Sequence, residues 1–341
     1  MPLAVRTPVN PAAPPGAGTY PRALNVLSRK ETAVQRQLRR AGLAGYEPLT
    51  QATLLTLAQY APPHAAVYDV GAHIGLYAAL VDLVHGGKRL QTVAFEPTPH
   101  TAGLCRALRD GNGLDFDVRQ MALSDRSRTA ELYLSLKAES SNSLNPGHRA
   151  HAESVRVPVG TVDDFAERHG HAPFLIKIDV ETHEPEVLAG AHRVLRAHRP
   201  WLVCEVLPGT DRGAMAAALR VLTALGYGLH LIHPETPWRP HDAESYRAHV
   251  QGQCRDWLFA PEPLTDDFYA TQRAWLRAVL ECGKEENLLV PPGEPFPRGW
   301  NAPHPLPDRR PPRPRLPRRW RQGRQAQPRR QEQELRQGAK R

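Results

Sequence analysis

A short apolar run that ends in acidic residues stands out along the chain. The run Phe174–Ile178 is rich in β-branched side chains and is too short for a helix. Carboxylates follow it at Asp179, Glu181 and Glu184. From Pro185 onward the apolar positions recur at helical spacing, and Pro is well tolerated in a first helical turn. We therefore predict a buried central strand of a parallel sheet that carries an acidic group to its carboxyl end, where open α/β sheets bind ligands.

Short apolar runs and helical patterns alternate along most of the remaining chain. Strands are predicted at Ala66–Asp69, Thr92–Glu96, Phe116–Ala122, Trp201–Val206, Leu229–Ile232 and Asp256–Ala260. Helices are predicted at Leu24–Arg40, Thr50–Tyr60, Thr101–Asp110, Arg212–Leu225 and Asp266–Cys282. This alternation is typical of an α/β fold in which helices cover both faces of a mostly parallel sheet. We expect the last strand to be an antiparallel edge strand.

One stretch departs from this alternation. The runs Ala130–Leu136 and Val155–Val159 have the period of strands, and Ser, Asn, Gly and Pro dominate residues 138–149 between them. We predict a hairpin-like insertion with a flexible loop, in which residues 140–143 either touch a substrate or cap a turn. Thr161 is expected to cap the helix that follows.

The two ends of the chain differ in composition from the middle. Residues 1–22 are rich in Pro and residues 285–341 in Pro, Arg and Gln, so both are predicted to be disordered. One domain remains over residues 23–284, with a helical cap at 23–60. The formal net charge of +9 comes from the tail, because residues 302–341 hold 13 Lys and Arg against 3 Asp and Glu. Nucleic acid is therefore a candidate partner only for this tail.

Cysteine usage and hydropathy point to the compartment. The four cysteines Cys105, Cys204, Cys254 and Cys282 are far apart and form no zinc-type cluster, which favours free thiols in a reducing environment. The opening residues contain no apolar signal core, and no run of about 18 apolar residues occurs. We expect a cytoplasmic protein that does not enter a membrane. The oligomeric state is left open.

A glycine-containing turn follows the first strand of the predicted sheet. It contains Asp69, Gly71, His73 and Gly75, and a helical apolar pattern begins directly after it. The glycines permit a tight turn that brings backbone N–H groups and a helix N-terminus close to an anionic ligand group. The Asp-x-Gly-x-x-x-Gly spacing differs from the Gly-x-Gly-x-x-Gly of dinucleotide enzymes and is that of class I S-adenosylmethionine enzymes. We take these four residues as cofactor-binding candidates.

Two further strand ends supply groups suited to a nucleoside. Glu96 ends the next strand, where a carboxylate accepts both ribose hydroxyls in nucleoside-binding enzymes, including those that bind NAD. Ser124 and Asp125 follow the third strand and are candidates for the adenine amino group. The alternative for Asp125 is a residue that only caps a turn.

Taken in order, these motifs resemble the FkbM-type methyltransferase family. They are Asp69–Tyr77, Phe95–Pro97, Ala122–Asp125, Thr161–Phe165, Ile176–Glu184 and Val187–Ala191, and they span roughly residues 65–262. Two positions depart from the family pattern, since Thr182 stands where Gly is usual and His73 where Asn is usual. The resemblance implies a Rossmann-like, doubly wound domain that uses S-adenosyl-L-methionine to methylate a hydroxyl oxygen on a small molecule or glycan.

Such a reaction needs a group that removes the hydroxyl proton. For its position at the strand end we rank Asp179 first, followed by Glu181 and His183, and Asp179 is also a donor-binding candidate. A buried ammonium needs a partner, so Lys177 is predicted to pair with a carboxylate near the site. Asp179 and Glu205 end neighbouring strands, but two oxygen ligands are too few to predict a metal site.

Other reactions remain possible on the sequence alone. A nicotinamide-dependent oxidoreductase is disfavoured by the missing third glycine. A non-catalytic protein that binds RNA or another polyanion through its Arg-rich tail is a second alternative. Within the methyltransferases, the chain lacks the Pro-Pro-aromatic and Pro-Cys motifs of enzymes that methylate nucleobases, which favours oxygen as the acceptor atom.

Overall fold

The computed structural model describes residues 3–12, 23–26, 32–136, 141–246, 254–284 and 288–289. The strands are β1 Leu3–Arg6, β2 Ala23–Val26, β3 Ala66–Val70, β4 Gln91–Phe95, β5 Asp117–Arg119, β6 Ala122–Leu123, β7 Arg128–Ser135, β8 His151–Gly160, β9 Pro173–Ile178, β10 Trp201–Glu205, β11 Gly228–Leu231, β12 Pro240–His241, β13 Asp256–Ala260 and β14 Leu288–Leu289. The α-helices are α1 Ala33–Ala41, α2 Pro48–Tyr60, α3 Leu76–His85, α4 Pro99–Gly111, α5 Val162–His169, α6 Glu184–Ala189, α7 His192–Ala197, α8 Arg212–Ala224 and α9 Asp266–Leu280.

A mostly parallel sheet organises the described part of the chain. Its strand order is β12-β11-β13-β10-β9-β3-β4-β5. The strands from β10 to β5 run parallel to one another, and β9 lies between β3 and β10. The α/β fold class and the internal position of the strand before Asp179 are confirmed. The carboxyl ends of β3, β4, β9 and β10 consequently meet at one edge of the sheet.

Helices cover both faces of this sheet because alternate residues of each strand point to opposite sides. On one face Tyr68 packs edge-on against Phe95, with ring centroids 5.4 Å apart, and Phe165 from α5 completes the contact. On the other face Val67 belongs to an apolar cluster built largely from α2, α3 and α9. Because helices pack on both faces, the strands are held in place and their carboxyl ends have fixed positions at the site.

The predicted hairpin insertion is present beside the main sheet. Its strands β7 and β8 pair antiparallel, with Arg128 opposite Val159, and β6 runs parallel to β8. From the end of β7 the chain returns through residues 141–150. Here Ser143 exchanges backbone hydrogen bonds of 2.9 and 3.2 Å with Tyr133. These hydrogen bonds anchor the loop to the hairpin. Side chains of the loop extend toward the main sheet.

The N-terminal predictions need correction. β1 pairs with β2 and with β14, so the disorder predicted for residues 1–22 and 285–341 is wrong for these short strands. The predicted helix Leu24–Arg40 is wrong at its start, because β2 occupies that place. A capping box begins α1 instead: Gln35 N donates to Thr32 Oγ1 at 3.2 Å, and Thr32 N donates to Gln35 Oε1 at 3.0 Å. Most of the two end segments lies outside the described residues and stays a prediction, as do the domain boundaries.

The C-terminal half follows the predicted pattern with two differences. β13 is antiparallel as predicted, but it lies inside the sheet, because β11 pairs with its other side. The helical pattern after Pro185 forms two short helices, α6 and α7, rather than one. Within the described residues, no helix is both long and apolar enough to cross a membrane.

Candidate active site

A cavity of about 330 Å³ opens at the carboxyl ends of β3, β4, β9 and β10. Six predicted site residues line it, namely Gly71, His73, Glu96, Asp179, Glu181 and His183. Asp69, Gly75, Ser124 and Asp125 are not part of the lining. The sheet thus brings together residues more than a hundred positions apart in the chain, and it places the remaining candidates behind or beside the cavity.

The glycine turn after β3 is locked against the neighbouring strands. Gly71 has φ 81°, and a Cβ at this position would lie 1.8 Å from the carbonyl oxygen of Asp179, so only glycine fits. The N–H groups of Gly71 and Ala72 both donate to Phe95 O, at 2.9 and 3.0 Å. The N–H of Gly71 is thus used within the protein, and this residue lets β3 and β9 approach closely, while its assignment as a cofactor-binding residue stays a prediction.

Asp69 and Gly75 support the turn from behind. Asp69 is buried, and its Oδ2 accepts a 3.2 Å hydrogen bond from Ala78 N in the first turn of α3. Burial raises the pKa of this carboxyl. A Cβ at Gly75 would lie 2.4 Å from Cys105 Sγ, which shows that this glycine packs against α4. Both residues position the cavity wall, and their assignment as direct cofactor ligands stays a prediction.

Glu96 is held by three hydrogen bonds at the end of β4. Its Oε2 accepts from His73 N at 2.8 Å, and its Oε1 accepts from Thr98 N and Thr101 Oγ1, each at 2.8 Å. The side chain is buried, and burial raises its pKa despite these donors. Since a carboxylate offers about four lone-pair sites, Glu96 keeps capacity for a ligand hydroxyl in a fixed orientation.

Ser124 and Asp125 lie beside the cavity. Ser124 Oγ donates to Asp125 Oδ1 at 2.8 Å and lies 2.9 Å from His183 Nε2. Arg128 Nη1 forms an ion pair with Asp125 at 2.9 Å. Burial raises the pKa of Asp125, but the hydrogen bonds from Ser124 and Arg128 outweigh it and lower the value overall. The residues of β6, which precede Ser124, do line the cavity. The polar groups of Ser124 and Asp125 already contact other protein groups, and their assignment to the adenine stays a prediction.

The predicted partner of Lys177 is Asp179. Lys177 Nζ donates to Asp179 Oδ2 at 2.9 Å and lies 4.7 Å from the centre of the Tyr77 ring. Burial raises the pKa of Asp179, but the charge and hydrogen bond of Lys177 outweigh it, so the pKa lies below its usual range. The lowered pKa of Asp179 matters for catalysis, because a carboxylate with a lowered pKa is a weak base at neutral pH.

Glu205 and Glu47 crowd the same wall. Burial, followed by the charges of Asp179 and Asp256, raises the pKa of Glu205 to about 11. Burial and the same two aspartates raise the pKa of Glu47 to about 7, although Tyr77 donates its hydroxyl to Glu47 Oε2. Several carboxyls therefore share one small region with a single buried ammonium, and Glu205 remains protonated at neutral pH.

Glu181 and Thr182 form a turn with two left-handed residues in succession, at φ 53° and 76°. Glu184 stabilises it, since its Oε1 accepts from Val180 N at 3.3 Å and Thr182 N at 3.1 Å. The position where the family has glycine thus keeps a glycine-like conformation. Strained conformations of this kind cost on the order of 1–3 kcal/mol per residue and concentrate at functional sites.

Glu181 faces the cavity, and its close contact with a basic side chain is to His148 rather than to a lysine or arginine. Burial, followed by the charges of Asp179 and Glu184, raises its pKa to about 8. Its Oε2 lies 2.8 Å from His148 Nε2. By comparison, the His183 ring is held on both sides, 2.9 Å from Ser124 Oγ and 3.5 Å from Glu186 Oε2, and burial lowers its pKa.

Sequence reasoning missed Glu47, Tyr46 and His148. Glu47 and Tyr46 line the cavity from the segment just before α2, far from any motif. His148 is one of sixteen histidines, and no spacing connects it with Glu181. Within the described residues, no group of three or more His, Cys, Asp and Glu side chains is arranged to hold a metal ion.

Comparisons with known proteins found similarity to methyltransferases over the middle of the chain. Residues 69–229 match the model of the methyltransferase FkbM domain. The 31-O-demethyl-FK506 methyltransferase FkbM of Streptomyces tacrolimicus is 29% identical over 157 residues, which cover 38% of this chain and 60% of that protein. The chain thus spans less than two thirds of that curated relative.

Solved structures give more distant likenesses. The FkbM methyltransferase of Methylobacillus flagellatus KT matches with a TM-score of 0.40 and 18% identity, over 58% of this chain and 44% of that one. A SAM-dependent O-methyltransferase of Thermotoga maritima matches with a TM-score of 0.35 and 11% identity, over 63% and 66%. Scores this low show no relationship by themselves, so the similarity depends on the match of residues 69–229 to the family model. Residues 69–229, a little under half of the chain, are thus similar to the methyltransferase FkbM domain.

Proposed function

We propose that this domain uses S-adenosyl-L-methionine to methylate a hydroxyl oxygen of a small molecule or glycan. The observation that carries the proposal is the shared cavity, which is lined by Gly71, Glu96, Asp179 and Glu181 from three strand ends. A single cavity at the switch point of an open α/β sheet is the usual place for a nucleoside ligand.

The residues of the cavity fit a methyl donor of this kind. Glu96 is oriented by three protein donors and retains lone pairs, which suits the two hydroxyls of a ribose. Five carboxyl residues line the cavity, and no Lys or Arg among the described residues does so. This balance suits a ligand with a positive sulfonium and a positive amino group, and it disfavours a pyrophosphate. When bound, the donor supplies an electrophilic methyl group.

The polar groups that bind the donor and those that lie near the acceptor then have different roles. Glu96 binds and orients the nucleoside, with His73 N–H fixing its carboxylate. Asp179 presents a fixed negative charge that Lys177 holds in place. An oxygen acceptor must lose a proton during the transfer, so a basic group close to the cavity supports oxygen as the acceptor atom.

Two measurements test the proposal in sequence. The first compares equilibrium binding of S-adenosylmethionine with that of NADH, and we expect binding of the former alone. The second incubates the protein and donor with hydroxylated small molecules and glycans, each paired with its deoxy counterpart, and follows donor consumption and product mass. Methylation of hydroxylated compounds only is the expected result. Methylation of the deoxy counterparts, or preferential binding of NADH, would contradict the proposal.

A further inference from the structure

Three side chains from the loop at residues 141–150 contact the turn that carries Glu181. Ser143 Oγ donates to the carbonyl oxygen of Glu181 at 2.7 Å. Asn145 Nδ2 donates to Thr182 Oγ1 at 3.0 Å. His148 Nε2 lies 2.8 Å from Glu181 Oε2. One loop therefore holds the backbone of the turn at Glu181, binds the side chain of Thr182 and also reaches the Glu181 carboxylate.

The contact between His148 and Glu181 is shielded from solvent. The side chain of His148 is 5% exposed and that of Glu181 is 17% exposed. Within the described residues, His148 Nε2 has no well-aligned hydrogen bond, although a carboxylate oxygen of Glu181 lies 2.8 Å away. Such contacts are often poorly aligned without substrate and tighten when it binds.

Other charged groups around this pair come from several elements. Asp179 at the end of β9 and Glu184 at the start of α6 face Glu181 and raise its pKa. Arg149, from the same loop, and Arg255, next to β13, oppose this effect. Burial lowers the pKa of His148, and Arg149 lowers it further. At neutral pH the imidazole is therefore neutral, and it can act as an N–H donor through Nε2.

The other two bases predicted from the sequence, Asp179 and His183, are less suited to take a proton. Lys177 holds Asp179 in its ionised state, and its donated hydrogen bond occupies one carboxylate oxygen. His183 is fixed between Ser124 and Glu186 by its two ring nitrogens. Glu181 lines the cavity, and the protein contact to its carboxylate comes from a ring that is itself neutral.

We propose that Glu181 is the general base of this domain and that His148, supplied by the hairpin insertion, is its positioning residue. This proposal rests on the proposed function for its acceptor. As the hydroxyl oxygen forms the new bond to carbon, its proton passes to the Glu181 carboxylate, while sulfur keeps the electron pair of the broken carbon–sulfur bond. His148 donates its Nε2–H to the other carboxylate oxygen and fixes the direction of the lone pair that receives the proton.

Kinetics of four variants test these roles. Glu181→Gln removes the base and should lower kcat by about 10²–10⁴-fold. His148→Phe removes the donor, so the pKa of Glu181 should rise and the ascending limb of the pH–rate profile should move to higher pH. His148→Gln retains an N–H donor and should restore much of the wild-type profile. His151→Phe, an exposed histidine in the same insertion, should leave kcat and the profile unchanged.

A measurement that needs no acceptor keeps the proposal testable on its own. In proton NMR the His148 ring signal, assigned by its loss in His148→Gln, should show a second inflection near the pKa of Glu181, and Glu181→Gln should abolish it. Binding of S-adenosylhomocysteine should be unchanged in all four variants, which separates failure of the base from failure of the donor site. An identical His148 titration in wild type and Glu181→Gln, or full turnover in Glu181→Gln, would overturn the proposal.

Discussion

The two sides of the cavity satisfy their polar groups in opposite ways. On the donor wall, formed by Gly71, His73 and Glu96, backbone N–H groups and a threonine hydroxyl meet carbonyl and carboxylate oxygens. On the acid wall, formed by Glu47, Asp179, Glu181 and Glu205, carboxyls face one another, and Lys177 is the ammonium that balances them. Hydrogen bonds therefore hold the donor wall in one arrangement, whereas the net charge of the acid wall changes as its carboxyls gain or lose protons.

This difference indicates a division of labour. Hydrogen bonds to the backbone orient a group at little electrostatic cost, which suits binding. Crowded carboxyls in a buried region raise one another's pKa, which suits proton transfer near neutral pH. One edge of the sheet provides both walls, because each wall comes from different strand ends, and His148 of the hairpin insertion contacts the carboxylate of Glu181 in the acid wall.

Removing the ammonium from the acid wall should have the largest effect. Lys177→Met leaves Asp179 buried without its partner, and breaking such a pair costs about 3–5 kcal/mol. The free energy of unfolding in denaturant should fall by this amount, whereas exposed Lys284→Met should change it little. Equal stability of the two variants would show that Lys177 does not balance the acid wall.

A substitution in the donor wall should separate conformation from packing. An alanine with positive φ costs about 1–2 kcal/mol, and overpacking adds about 1–3 kcal/mol. Gly71→Ala bears both penalties, since its Cβ would lie 1.8 Å from Asp179 O; Gly113→Ala has φ 61° with no atom within 4 Å and bears only the first. Thermal and denaturant unfolding should show the larger loss for Gly71→Ala. Similar losses would mean that the approach of β3 to β9 is not close in solution.

Glu181 of the acid wall and its neighbour Glu184 should make stability fall as pH rises. The folded-state pKa values of Glu181 and Glu184 are raised to about 8 and about 7, so their contribution is present at low pH and is lost through these values. Histidines with lowered pKa act in the opposite direction only below about pH 6.5. Between about pH 7 and 8 the unfolding free energy of the wild-type protein should therefore decrease. In Glu181→Gln this decrease should be smaller, by up to about 1 kcal/mol. Parallel curves for the two proteins would contradict the raised pKa of Glu181.

The smallest expected effect concerns the link between insertion and turn. Asn145→Ala removes the hydrogen bond to Thr182 and an exposed one that Asn145 Oδ1 accepts from Gly147 N, and the loss of the bond to Thr182 should lower the unfolding free energy by about 0.5–1.5 kcal/mol. Ser154→Ala removes an exposed contact to Glu131 in the same hairpin and should cost less. Amide exchange at Thr182 should quicken in the first variant alone. Unchanged exchange would show that the loop does not hold the turn.

Local pattern was sufficient for much of the fold and for the donor wall. The strand before Asp179, the glycine turn and Glu96 each have a signal within a few residues, because strand period, turn chemistry and strand-end position are local properties. The Rossmann-like topology followed from their order. The hairpin insertion was also visible as two alternating runs.

The acid wall and the short strands depended on contacts that local pattern does not encode. Glu47 lines the cavity and His148 contacts Glu181 through tertiary packing of distant segments, so no spacing in the sequence predicts them. β1 and β2 are four residues each and exist through their pairing with each other. β13, the last predicted strand, was predicted to lie at the edge of the sheet. In the structure the earlier strand β11 pairs with its outer side, because pairing order is not sequence order.

Calorimetric titration with S-adenosylhomocysteine tests the central claim most directly, namely that the converging strand ends form one nucleoside site. The account predicts one molecule bound per chain, an affinity about tenfold or more weaker in Glu96→Gln because a charged hydrogen-bond acceptor is lost, and wild-type affinity in the exposed control Glu153→Gln. No detectable binding to the wild-type protein, or equal affinity in Glu96→Gln, would contradict it.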